Sequence, residues 1–247
     1  MLRKTTLNYS PNFSIKKRNF KQTKFIVFHY TGMKKESEAL SRLTNMQSEV
    51  SCHYLIKKSG EIITIVPESY IAWHAGKSSW AHYKSLNKNS IGIEITNPGH
   101  EFGYKRFSKK QISSLLKLSK YLIKKYKIRP KDILGHSDIA PGRKKDPGEK
   151  FPWQYLSQNK VGLWHTIKKK ELIKNRQIKT TKIDKDFFIN NLFKIGYSKK
   201  FSKNASKDKH LRHITKAFQR RYRQDLIDGK IDQECLIISQ NLIKKFY

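Results

Sequence analysis

"RPKDILGHSDIAPGRKKDPG", residues 129–148, is the stretch on which the fold turns. Its first half reads as a short returning strand, with Ile133 and Leu134 as an apolar run that ends at His136. Its second half is a loop stiffened by Pro141 and Pro147, with Arg143, Lys144 and Lys145 placed directly before Asp146. In α/β enzymes reactive groups collect at strand ends, and a histidine leading into a rigid, carboxylate-bearing loop fits that arrangement. A basic surface loop with turn residues is the plainer reading, and the flanking segments decide between the two.

Upstream, "KFIVFHYTG" (24–32) is an apolar run closed by Gly32 and predicts a buried strand, with His29 at its end. "ESEALSRLTNM" places Ala39, Leu43 and Met46 at helical spacing. "SCHYLIKKSGEIITIVP" (51–67) predicts a hairpin around Ser59-Gly60, and "NSIGIEITNPG" (89–99) a strand stopped by Pro98-Gly99. "SKKQISSLLKLSKYLIKKYKI" (108–128) predicts a helix whose stripe is Ile112, Leu115, Leu116, Ser119, Leu122, Ile123 and Tyr126. Strands and helices thus alternate as far as about residue 157, which implies an α/β fold: a mixed central β-sheet flanked by helices. The pattern is lost over 158–181 and returns as three short helices, Lys185–Phe193, Lys207–Tyr222 and Gln233–Phe246. The expected division is a catalytic domain at 1–165 with its core at 24–157, a connector at 166–182, and a small three-helix domain at 183–247.

Composition sets outer bounds. In 247 residues, hydrophobic side chains make up 37% and aromatics 12%, enough for a sizeable core and against global disorder. No run of 18 apolar residues is present, so no transmembrane helix is expected. The first residues are polar and basic and lack the apolar core of a signal peptide; taken as the native start, they favour the cytoplasm, with export as the alternative. Cys52 and Cys235 stand far apart and outside any CxxC, which predicts two reduced structural thiols. The net charge of +34 fits an anionic partner such as nucleic acid, an acidic membrane or a carboxylate-bearing polymer. It fits compositional bias equally, because 42 lysines against 11 arginines are spread along the whole chain.

The chemistry-bearing residues are sharper than the charge. His29 and His136 stand at strand ends, and with Asp146 they make a two-histidine, one-carboxylate set suited to zinc with one position left for water; such a set can also hold non-haem iron. Glu94 sits mid-strand in "SIGIEIT", where a carboxylate is costly unless partnered or functional. Strict alternation puts Ile91, Ile93 and Ile95 on one face and Gly92, Glu94 and Thr96 on the other, like a pocket wall; a solvated edge face is the alternative. Functionally, Glu94 would be a general base or a holder of the metal-bound water. Lys144, two residues before Asp146, would come close to the open metal position and could stabilise an oxyanion.

These segments together resemble the zinc-dependent N-acetylmuramoyl-L-alanine amidases of the type 2 amidase superfamily, which includes peptidoglycan recognition proteins. The resemblance runs through "FIVFHYTG", "SCHYLIKKSGEIITIVPES", "IAWHAGKSSW", "SIGIEITN" and "GHSDIAPGRKKDPGEKFPW", over residues 24–157. It implies one zinc ion held by His29, His136 and Asp146, with Glu94 as catalytic glutamate and Lys144 as the transition-state lysine. It places His74, in "AWHAG", at the rim of the substrate groove, and His53 near the site without being a ligand. The implied reaction breaks the amide between the lactyl group of N-acetylmuramic acid and L-alanine, in intact peptidoglycan or in soluble anhydro-muropeptides. "HITKAFQRRYRQDLIDGKIDQECLIISQNLI" is similar to a three-helix peptidoglycan-binding module, with a helical buttress as the alternative; His210 and His213 are expected on its solvated surface. A binder that does not cut is the competing function; nucleic-acid binding rests on charge alone and is not expected.

Overall fold

The computed structural model describes residues 6–199 and 206–247. Its main sheet has six strands: Thr6–Leu7 (β1), Phe25–Tyr30 (β3), Tyr54–Ile56 (β4), Ile62–Thr64 (β5), Ser90–Ile95 (β9) and Ile133–Gly135 (β10), in the order β1-β5-β4-β9-β3-β10. Two small ribbons pair Phe13–Ser14 (β2) with Ile71–Ala72 (β6) and Ser79–Trp80 (β7) with Tyr83–Lys84 (β8). The centre of the main sheet is parallel, β4-β9-β3-β10, and the expected hairpin adds β5 antiparallel to β4. The mixed sheet expected from the alternation of strands and helices is therefore present.

A parallel centre must be covered on both faces, which is why β3 begins as a continuous apolar run, Phe25 to Phe28, while β9 alternates isoleucines with small and polar residues. One cover is Lys109–Tyr126 (α2), started by a capping box in which the Ser108 hydroxyl accepts from Gln111 N–H and the Gln111 side chain accepts from Ser108 N–H. Its Leu115, Leu118 and Leu122 pack on Ile26, Phe28, Ile91, Ile93 and Ile95. Leu118, absent from the expected stripe, is fully buried, while Leu116, Ile123 and Tyr126 lie at its edge. Glu36–Thr44 (α1) buries Ala39 and Leu43, but Met46 is 75% exposed: the helix stops at Thr44 and Asn45 caps a separate turn that swings Met46 outward.

The C-terminal helices form the second cover. They are Lys182–Ile195 (α6), Lys207–Tyr222 (α7) and Gln233–Phe246 (α8), preceded by His136–Ile139 (α3), Trp153–Gln158 (α4) and Lys169–Asn175 (α5). Helix α5 falls in the stretch expected to lack structure; its KKELIKN sequence buries no residue, so no apolar period announces it. Phe188, Leu192, Ile214, Phe218 and Leu242 join Phe25, Val27, Leu134 and Ile139 in one cluster. The tail thus does not enclose a small core of its own beside the first domain: it completes the core on one face of the sheet. Residues 200–205 of the tail lie outside the described residues. Among the described residues, no helix is long and apolar enough to cross a membrane.

Candidate active site

Alternation along β3 sends Phe25, Val27 and His29 to the face covered by the tail, and Ile26 and Phe28 to the face covered by α2. On β9 the three isoleucines share the α2 face, so Gly92 and Glu94 face the same way as His29. His136 arrives from the neighbouring strand β10, not as its last residue but as the first of the one-turn helix α3. The loop beyond α3 returns Asp146, whose carbonyl accepts a hydrogen bond from Ser137 N–H at 2.8 Å. All three expected ligands are buried.

They converge on one point. His29 Nδ1 lies 2.9 Å from His136 Nδ1 and 3.1 Å from Asp146 Oδ2, and His136 Nδ1 lies 3.0 Å from the same oxygen. The other ring nitrogens fix the tautomers. His136 Nε2 sits 3.2 Å from the Ala75 carbonyl, which only accepts; Arg143 Nη2, 3.3 Å from the same nitrogen, spends its two hydrogens on the nearer carbonyls of Ala75 and Lys77, so the proton is on Nε2 and Nδ1 is a bare lone pair. Ser90 donates its hydroxyl to the Leu86 carbonyl at 2.6 Å and therefore accepts from His74 Nε2–H at 3.1 Å. His74 Nδ1 is then an acceptor, taking the proton of His29 Nε2 at 3.0 Å, and His29 Nδ1 is bare as well.

Two lone pairs and a carboxylate oxygen thus face one another with no proton between them. That arrangement repels itself unless a cation sits among the three, and the spacing is close to the roughly 3.3 Å edge of a tetrahedron with zinc–nitrogen bonds near 2.05 Å. Electrostatics agree. Burial, reinforced by His136, lowers the His29 pKa to about 4, so the ring is neutral at ordinary pH. Burial opposes ionisation of Asp146, but His136 and His29 outweigh it and hold the carboxylate well below its usual range. The three residues can hold a metal ion.

Glu94 stands beside this centre as the register partner of His29. It is half-buried, and its Oε2 is sealed from solvent with no hydrogen-bond partner. Burial and then the Asp146 charge raise its pKa to about 8, while Lys144 pulls the other way. A half-buried carboxylate with one oxygen sealed from solvent, its pKa moved toward neutrality and a cation close by has the character of a proton-transfer group, not of a solvated edge residue. Lys144 is half-buried and its backbone N–H donates to the Ala140 carbonyl at 2.9 Å; its charge is felt at both Glu94 and His29.

His74 requires a correction. It is 5% exposed, with both ring nitrogens engaged by His29 and Ser90, so it lies behind His29 and not at an exposed rim. Gly92 makes room for it: a Cβ there would fall 2.3 Å from His74 Cγ. His53 is buried nearby, accepting from Gly92 N–H, and it touches none of the three ligand atoms. Arg143, for which the sequence offers no role, donates to the carbonyls of Ala75 at 2.7 Å and Lys77 at 3.1 Å, tying the His74 loop to the Asp146 loop. Asp138 was missed altogether. It is 1% exposed and bridges the strand before His136 to helix α7 through Arg221. Its only sequence signal is a carboxylate inside a buried turn. His210 and His213 are half-buried rather than freely solvated: His210 Nε2 donates to the Ser198 carbonyl at 2.8 Å, and His213 lies against Gly142.

Comparison with known proteins gives a consistent picture. The sequence profile of N-acetylmuramoyl-L-alanine amidases matches residues 19–149. N-acetylmuramoyl-L-alanine amidase AmiD of Escherichia coli is 34% identical over 92% of this chain and 84% of its own length. The structure of AmiD bound to the substrate anhydro-N-acetylmuramic acid-L-Ala-D-γ-Glu-L-Lys superposes with a TM-score of 0.78, covering 91% of this chain and 90% of that one. AmpDh3 of Pseudomonas aeruginosa, in complex with anhydromuramic pentapeptide, covers all of this chain and 99% of its own at 29% identity and a TM-score of 0.78. The 1,6-anhydro-N-acetylmuramyl-L-alanine amidase AmpD of Haemophilus influenzae is 40% identical, over 46% of this chain and 61% of its own length.

Proposed function

The chain belongs to the N-acetylmuramoyl-L-alanine amidase family, and from that premise we propose that it is a zinc hydrolase that cleaves the amide between N-acetylmuramic acid, or its 1,6-anhydro form, and L-alanine. What carries the reading is the set of three unprotonated donors, His29 Nδ1, His136 Nδ1 and Asp146 Oδ2, meeting within 3.1 Å beside Glu94. AmiD and AmpDh3 were both captured with anhydromuramyl peptides, which supports the anhydro form as a substrate here.

A zinc ion held by His29, His136 and Asp146 would supply Lewis acidity and lower the pKa of a water toward neutrality. Glu94 accepts the proton of the water that attacks the carbonyl carbon and passes it to the alanine nitrogen as the C–N bond breaks. The acid formed gives its remaining proton to the released amine, so the products are the lactyl carboxylate and the ammonium of the peptide, and atoms and charge balance. Lys144 places an ammonium where the carbonyl oxygen gains charge. His74 and the Ala75 carbonyl keep His29 and His136 in the tautomers that present Nδ1. In this reading residues 1–165 carry the chemistry, 166–182 connect, and 183–247 cover the site face of the sheet.

Product mass spectrometry tests it, with whole sacculi and a soluble anhydro-muropeptide as parallel substrates. Release of free stem peptide with an intact sugar is the expected result. Binding of either substrate without any release of peptide would make the chain a recognition protein instead. The ratio of the two activities separates a wall enzyme from one that recycles soluble fragments.

A further inference from the structure

Helix α7 lies along the loop that carries the site and grips it at three points. His213 packs on Gly142, where a Cβ would fall 2.8 Å from its Nδ1. Arg220 approaches Glu149 at 3.9 Å. Arg221 donates to Asp138 Oδ2 at 2.7 Å and to the Ile133 carbonyl at 2.9 Å, with its guanidinium stacked 4.3 Å from the Trp153 ring centroid. Positions 213, 220 and 221 share one side of a helix that turns 100° per residue. The contacted residues bracket the catalytic set: Asp138 follows His136, Gly142 precedes Lys144, and Glu149 follows Asp146.

The Arg221 contact is the most deeply built. Arg221 is 2% exposed and Asp138 1%. Asp138 also accepts from the Gly135 N–H at 2.8 Å and from the Tyr197 hydroxyl at 2.8 Å. The guanidinium therefore holds β10 through Ile133 and the following turn through Asp138, one on each side of His136. Helix α3 is four residues long and cannot hold its own geometry. A buried ion pair is weak evidence for stability, and its better-attested use is to select one arrangement among several.

We propose that Arg221 is a positioning residue for the amidase site: acting through Asp138, it fixes the turn that aims His136 Nδ1 at His29 and Asp146. The inference rests on reading those three residues as a zinc site. It gives the C-terminal helices a part in the catalytic centre itself, distinct from any contact they make with the cell wall.

The test compares full-length variants. Arg221→Lys keeps the charge but offers a single ammonium that cannot span both acceptors. Arg221→Met with Asp138→Asn removes both charges and strands neither, so it serves if the lysine variant does not fold. Leu242→Ala opens the tail core away from the loop and is the control for lost stability. Each is assayed for Zn2+ affinity by chelator competition, for the visible spectrum after Co2+ substitution, and for thermal midpoint. The positioning role predicts about 10- to 100-fold weaker Zn2+ binding and an altered Co2+ spectrum in the Arg221 variants. Leu242→Ala should keep wild-type affinity and spectrum despite its lower midpoint. Wild-type affinity and spectrum in the Arg221 variants overturn the inference, and so does an equal loss of affinity in Leu242→Ala. Wild-type protein that takes up no Zn2+ overturns the metal reading, and this inference with it.

Discussion

His29 and Glu94 are direct register partners on two adjacent parallel strands, so their side chains leave the sheet on the same face, side by side. One pairing thereby sets a metal-ligand candidate next to a proton-transfer candidate, using nothing more than strand alternation. Substitutions at the two positions should have separable effects. Glu94→Gln keeps the shape and removes the base: zinc content should stay at one per chain while kcat falls by at least about 100-fold. His136→Ala should lose the zinc as well. Metal analysis alongside turnover distinguishes them, and a Glu94→Gln enzyme with near wild-type rates would remove Glu94 from the mechanism.

The tautomer argument can be checked one residue further from the chemistry. Ser90→Ala deletes the acceptor of His74 Nε2–H and frees His74 to turn or to change tautomer. Zinc affinity should fall by roughly 10-fold or more, as for other losses of support behind a ligand, with little change in thermal midpoint. Gly92→Ala should be harsher, because its Cβ occupies the place of the His74 ring, and overpacking of this kind costs about 1–3 kcal/mol. Equal zinc affinity in Ser90→Ala and wild type would show that His29 holds its orientation without the chain through His74.

Lys144 should set the acid limb of the pH profile. A general base must be ionised, so activity falls as pH drops through the Glu94 pKa. Burial and Asp146 raise that pKa and Lys144 lowers it. Lys144→Met should therefore move the acid limb of kcat/KM to higher pH, in addition to lowering kcat by about 100-fold through the lost oxyanion partner. An acid limb that stays in place while kcat drops would assign the limb to another group.

Much of this site was legible in the sequence, and the failures have definite causes. Strands β3 and β9 and helix α2 announce themselves because each must bury a regular apolar set, and His29 and Glu94 stand out as the polar residues that interrupt the two strand sets. His74 was assigned to the wrong place because a motif tells which residues gather at a site, not on which side of a ligand each one stands. Arg221 and Asp138 were invisible for a different reason. They are 83 residues apart, and in a chain with 42 lysines one more cation carries no mark of burial. Helix α5 went unseen because it fully buries no residue and only Leu172 leans on the core.

Acid should loosen the junction between the two halves. His165 is 6% exposed, its ring tilted against Trp164 with the centroids 4.8 Å apart, and burial lowers its pKa from 6.5 to about 4. Between those values the unfolded chain binds a proton that the folded chain refuses. Its contribution is therefore complete above about pH 6.5 and is lost as pH falls toward 4. His29, lowered to the same value, acts in the same direction in metal-free protein. Replacing His165 by leucine should flatten the fall of stability over this window by on the order of 2 kcal/mol, measured by denaturation of the metal-free protein at several pH values. A slope identical to wild type would mean that His165 meets water in the native state.

Removing the tail should disable the enzyme rather than merely weaken its hold on the wall. Phe25, Val27, Leu134 and Ile139 share one cluster with Phe188, Leu192, Ile214, Phe218 and Leu242, and the first four would be left facing water. A contiguous apolar patch of this kind drives association. The same cut removes Arg221 and Tyr197, the two side chains that hold the Asp138 carboxylate and with it the turn carrying His136. A chain ending near residue 181 should thus be poorly soluble and, where recovered, deficient in zinc and in cleavage of even a small soluble muropeptide. A separable wall-binding module makes the opposite forecast: a soluble, zinc-loaded truncation that cuts the small substrate normally and loses only its affinity for sacculi. Zinc content per folded molecule is the measurement that decides, because it is read in the soluble fraction and does not depend on the wall.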